Sequence, residues 1–134
     1  MAGASQGFHE AEEKLSEGTK DMHRALVSLQ EELEAIDWYR QRADATQNES
    51  LKGVLLHNME EEVEHACMVL EWLRRHVPVF DKNLRTYLFQ TKPITEIEEA
   101  EEQSGGTSGV KGDAPQQVRQ PERAGFTVGK MKGD

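Results

Sequence analysis

No proline interrupts the chain between residues 10 and 76, and apolar residues recur there at helical spacing in two long runs. In the first run Leu15, Met22, Leu29, Ile36 and Ala43 repeat every seven residues, beside a companion stripe of Gly18, Ala25, Glu32 and Tyr39. In the second, Leu55, Glu62 and Val69 form one stripe and Leu51, Asn58, His65 and Trp72 the other. Paired stripes of this kind are the seam of a helix that packs on other helices. A helix with one narrow apolar face is marginal alone in water, so the pattern demands partners.

Three seam positions break the apolar rule at one level: Glu32, Glu62 and His65. A bare carboxylate is costly to desolvate, so such groups persist when paired, protonated or bound to a cation. Glu62 and His65, three residues apart, share one helix face. Together with a Glu on a neighbouring helix they make half of a di-iron carboxylate set, which needs one Glu from each of two helices and a Glu-x-x-His from each of two more. This chain has one of each at seam positions. Two copies bring four carboxylates and two imidazoles around two metal ions on a twofold axis, so the site is expected only in the dimer. Periodicity alone leaves a second reading open, a hydrogen-bonded polar layer that fixes the register of a helical pair.

Size and charge agree with a small helical domain carrying polar appendages. The 134 residues are 36% hydrophobic and 31% charged, with a net charge of -9. Residues 1–103 hold 22 acidic and 11 basic side chains, whereas residues 104–134 hold three and five. An acidic body argues against nucleic acid and draws cations. One cysteine, Cys67, excludes an intramolecular disulfide. No leader pattern opens the sequence and no run reaches membrane-spanning length, so a cytoplasmic location is expected.

In chain order, residues 1–9 read as a flexible N-terminus and 10–103 as the helical domain. The first helix is expected from His9 or Glu10 to Asp44. Gly18 falls on its seam, as close approach of another helix would require. Residues 45–50 form a short connection with Thr46 and Asn48 as candidate N-caps, which makes the two helices an antiparallel hairpin. The second helix is expected over 49–76, a shorter one over 81–90, and a further turn or two over 94–103. The apolar residues of that last region, Leu84, Tyr87, Leu88 and Phe89, are expected to pack across subunits. Residues 104–124 have the composition of a disordered linker. Residues 125–134 bring back Phe126 and Val128 in alternation, as in a peptide that docks in extended form.

Several blocks carry a resemblance. Glu31-Glu32-Leu33-Glu34-Ala35-Ile36-Asp37-Trp38-Tyr39, then His57-Asn58, Glu61-Glu62-Val63-Glu64-His65-Ala66, Leu70-Glu71-Trp72-Leu73-Arg74-Arg75 and Leu84-Arg85-Thr86-Tyr87-Leu88-Phe89 are similar to the encapsulated ferritins, in order, over roughly residues 10 to 100. The resemblance implies an all-α fold: an antiparallel two-helix hairpin plus a short C-terminal helix, dimerising into a ferritin-like four-helix bundle. It implies a ferroxidase holding two irons per dimer, with homodimers in a ring such as a decamer. Encapsulin would be the partner, reached through residues 125–134, whose Gly129-Lys130-Met131 stands where the family has Gly-Ser-Leu. By position, Glu32, Glu62 and His65 would be iron ligands, Tyr39 would lie close to the centre, and Glu31 and Glu34 with Trp38 nearby would form an outer metal site on the path inward.

Ordinary readings stand beside these. Glu60, Glu61 and Glu64 fit a solvated acidic face. His57 fits an exposed or structural histidine, Tyr39 fits core packing as well as a redox role, Trp38 fits an interface aromatic, and Cys67 lies off the seam. The competing functions are a helical interaction module with a docking tail and a protein that buffers metal without oxidising it.

Overall fold

The computed structural model describes residues 7–105. The linker from 106 onward, the docking peptide at 125–134 and residues 1–6 lie outside the described residues. Four α-helices follow one another: α1 Glu17–Ala45, α2 Glu49–His76, α3 Pro78–Tyr87 and α4 Ile94–Ser104, with a short 3-10 turn at Glu12–Lys14 ahead of them and no strand among the described residues. α1 packs along α2, α3 against the end of α2, and α4 against α3. The expected hairpin is present, and the further turn or two expected over 94–103 is a helix of its own, α4, beside the shorter helix α3.

The boundaries follow from local chemistry. α1 begins seven residues later than its stripe suggested, because residues 9–14 have no apolar side chain to bury beyond Ala11. The chain stays extended at Leu15, and Ser16 caps the helix by accepting the Thr19 N–H at 3.1 Å. Ahead of it Phe8 lies against His23, ring centroids 4.8 Å apart, so the end of the segment expected to be frayed is packed on α1. Asn48 caps α2 by accepting the Leu51 N–H at 3.0 Å, as expected, and Thr46 accepts the Asn48 N–H. Pro78 both ends α2 and opens α3. It disfavours helical geometry at Val77, whose φ is -123° and ψ 101°, and then supplies the first helical residue of α3 without a missing donor. That shifts α3 three residues ahead of its expected span.

Arg74 fixes the α2–α3 corner. Its guanidinium donates to both oxygens of Glu71 on its own helix and to Asp81 of α3, which also accepts from Arg85. After α3, Phe89 adopts a φ of 58°, a left-handed conformation that costs a bulky residue roughly 1 kcal/mol or more. Its side chain is fully exposed. α4 returns to α3 through Ile97, which is buried.

The core is thin. Ala43, Ala66, Leu73 and Ile97 are the buried hydrophobic residues of the described chain. On α2 the buried line runs through Ala66 and Leu73, one position on from the expected stripe of Leu51, Asn58, His65 and Trp72. Leu51, His65 and Trp72 instead face outward. Two helices meeting along one line bury one ridge each, and the remainder of an apolar face wide enough for a four-helix arrangement is left over. Gly18 meets no other helix of this chain, its nearest neighbour being its own Ser16 hydroxyl. No described helix is long and apolar enough to cross a membrane.

Asn48→Ala is expected to lower stability by about 1 kcal/mol, read by urea unfolding at one fixed protein concentration. The Arg74 network is expected to respond to acid. Arg74, and then Arg75, hold the Glu71 carboxyl down at about 2, below its ordinary 4.5. A depressed carboxylate contributes its stability above the ordinary value and loses it as pH falls toward the folded one. The stability gap between the parent and Arg74→Gln should therefore be full at pH 6 and close progressively below about pH 4.5. A gap that does not change with pH would refute the role of this network.

Candidate metal centre

One helix level brings the seam ionisables together. α1 contributes Glu32 and α2 contributes Glu62 and His65, the latter two on one face because three residues make slightly less than a full turn. One ligand atom from each of the three side chains lies within 4.8 Å of the others. His65 Nδ1 is 3.4 Å from a Glu62 carboxylate oxygen and 3.9 Å from one of Glu32. The carboxylates are about three-quarters covered, with side-chain exposures of 24% for Glu32 and 23% for Glu62, while His65 is half open at 51%. Among the described residues no other group of three or more His, Cys, Asp or Glu side chains comes so close.

The electrostatics follow from crowding. Glu32 is raised above its ordinary range because its carboxyl hydrogen-bonds to Glu62, with burial adding to the effect. Glu62 is lowered by that same bond and by His65. Opposite shifts of two neighbouring carboxyls are the usual result when they meet at close range. A cation between them would relieve that crowding. Two hard oxygen donors and one imidazole suit ferrous and ferric iron, zinc or manganese, and three donors from one chain leave coordination positions open. In chemical type and spacing the set therefore fits a di-iron half-site.

The other candidates are not members of this cluster. Glu31 is exposed and Glu34 half-buried on the same stretch of α1. Trp38 is about half exposed and borders a shallow groove with Gln41 and Arg42. Tyr39 is half-buried, one heptad beyond Glu32, with the Arg42 guanidinium carbon 5.7 Å from its ring centroid. That cation over the ring was not anticipated, although the three-residue spacing contains the signal. His57 pairs with Glu61 at 3.0 Å in the open. Glu60 and Glu64 are exposed on the acidic face, and Cys67 is exposed as a free thiol.

The surroundings of the cluster are apolar and uncovered. Leu51 and Val54 lie about four and three turns before His65 on α2, and Met68 and Trp72 lie about one and two turns after it; all four are exposed. The charged donors thus lie between patches of bare apolar surface.

Known proteins resemble this chain. A "Ferritin-like protein" of Thermotoga maritima is 53% identical over 106 residues, which is 79% of this chain and 91% of that protein. An "Encapsulated ferritin-like protein" of Rhodospirillum rubrum is 46% identical over 134 residues, covering all of this chain and 94% of the relative. Among solved structures, the crystal structure of protein ne0167 from Nitrosomonas europaea superposes with a TM-score of 0.64 at 56% identity, covering 66% of this chain and 97% of that one. With the EncFtn-like family model matching residues 7–91 as well, the chain belongs to the EncFtn-like family of encapsulated ferritin-like proteins.

Proposed function

We propose that two copies of this chain pair across the face bearing Glu32, Glu62 and His65 and there oxidise Fe(II) to Fe(III), for storage inside an encapsulin nanocompartment. The observation that carries the reading is the convergence of two carboxylates and an imidazole from two helices, with exposed Leu51, Val54, Met68 and Trp72 on either side. A lone chain offers three donors, and a twofold axis through this face supplies the other three. Iron enters as substrate. Two ferrous ions held side by side surrender two electrons together to dioxygen or peroxide, and carboxylates accommodate the rise in charge because oxygen donors favour the ferric state.

Each residue has a part in this scheme. Glu32, Glu62 and His65 would hold the ions, Glu62 being the carboxyl that its neighbours lower and Glu32 the one they raise. Tyr39, one heptad beyond Glu32 with Arg42 beside its ring, would lie close to the centre. Glu31 and Glu34, beside Trp38, form an outer site that feeds ferrous iron inward. Residues 125–134 direct the assembly, a ring of such dimers, into the shell. The name of the Rhodospirillum rubrum relative supports encapsulation.

Glu32→Ala and His65→Ala are each expected to slow aerobic oxidation of added ferrous iron by more than about tenfold, the least that loss of even a supporting ligand contact costs. Variants as fast as the parent would refute the enzymatic reading. Iron bound without oxidant consumption would favour the buffering alternative. Deleting residues 125–134 is expected to leave oxidation unchanged and to abolish co-purification with a co-expressed encapsulin shell. Loss of both activities in that variant would mean the peptide is part of the folded body.

A further inference from the structure

Met68 is the most exposed methionine of the described chain, with 63% of its surface open, whereas Met22 and Met59 are half-buried. It follows His65 by three residues on α2, so its thioether shares a helix face with the imidazole, about 4.5 Å further along the axis. Two open grooves meet at it. One, of about 450 Å³, runs past Val69 and Trp72 to α1, and the other, of about 530 Å³, is shared with Cys67, Trp72 and His76. A small oxidant in solution therefore reaches the sulfur from two sides. Oxidation turns this soft, flexible and apolar side chain into a polar and chiral one. At Met68 that change falls on apolar surface one turn from the metal cluster.

We infer that Met68 is a peroxide-modification site, and that its sulfoxide loosens the pairing of the face that carries the metal cluster. The inference rests on the pairing and the iron oxidation proposed above. Two ferrous ions that pass two electrons to dioxygen, with two protons, leave two ferric ions and one hydrogen peroxide. Paired centres therefore release the oxidant into the solution that unpaired copies share. In an unpaired copy the Met68 sulfur is open to it. A sulfur lone pair attacks one peroxide oxygen and the O–O bond breaks. That oxygen stays on sulfur as the sulfoxide, and the other leaves with both protons as water. Sulfur has lost two electrons and peroxide has gained two. The S–O group must then be desolvated before the face can pair, a cost that the thioether does not carry. Peroxide thus restrains the recruitment of further copies, and reduction of the sulfoxide restores them.

The test uses the full chain carrying Cys67→Ser, which removes the competing exposed thiol next to Met68. The metal-free protein is treated with hydrogen peroxide and then with catalase. Sulfoxide is located by mass spectrometry of peptides, and pairing is read as native mass over a dilution series with ferrous iron added under nitrogen. Met68 is expected to oxidise before Met22 and Met59, and the treated chain to need about tenfold or more protein to pair. Methionine sulfoxide reductases acting on both epimers are expected to reverse both changes. Met68→Leu, close in volume and apolar, is expected to pair at the same protein concentration before and after peroxide. Oxidation of Met68 no earlier than of Met22 and Met59 overturns the inference and leaves the iron reading intact. So does pairing that a Met68 sulfoxide does not disturb, or a Met68→Leu chain that peroxide weakens as much as it weakens the chain with Met68. A chain that never pairs sinks the pairing reading and this inference together, and that outcome is seen before any peroxide is added.

Discussion

Two helices that touch along a single line can bury one ridge each, and the architecture of this chain follows from that limit. Ala43, Ala66 and Leu73 occupy the line of contact, and the small side chains allow close approach. Little else in the hairpin is removed from water. Apolar residues sufficient for a larger bundle are thus distributed over faces that the described chain leaves uncovered.

The same line of contact sets the electrostatics. Glu32 and Glu62 lie at the edge of the interhelical seam, covered enough that two negative charges cannot coexist there cheaply and open enough for a cation to arrive. His65 stands on the more open side, with Nδ1 3.4 Å from a Glu62 oxygen and 3.9 Å from one of Glu32. The cluster is therefore two carboxyls pressed together, Glu32 raised by Glu62 and by burial, an arrangement that a cation would relieve. The Arg74 network at the other end of α2 is the opposite case. Its charges are mutually satisfied, and its work is to hold a corner between helices.

Much of this was legible in the residues. The helical class, the hairpin, the Asn48 cap and the end of α2 followed from periodicity and capping chemistry, and the three clustered side chains were readable as polar intrusions into an apolar stripe. The failures have physical causes. The start of α1 depended on Ser16 and on the absence of anything for residues 9–14 to bury, which a stripe anchored on Leu15 does not reveal. Pro78 read as a stop, but the same fixed φ serves equally as a start. The rotation of the buried line from Leu51, His65 and Trp72 to Ala66 and Leu73 was hidden because periodicity marks every apolar face without saying which neighbour covers it. Phe89 was recognised as apolar, whereas its left-handed backbone is a matter of geometry that its identity argues against.

The three-residue link between α1 and α2 has a further consequence. Because Asn48 pins the first turn of α2, the helical phase of Glu62 and His65 relative to Glu32 is counted from that cap. One residue inserted between Asn48 and Glu62 would swing the downstream face by about 100° and slide it by about 1.5 Å, carrying the imidazole and its carboxylate away from α1 together with Ala66 and Leu73. The length of this segment is therefore under stricter constraint than its composition, and an insertion or deletion there would undo the cluster and the line of contact at once.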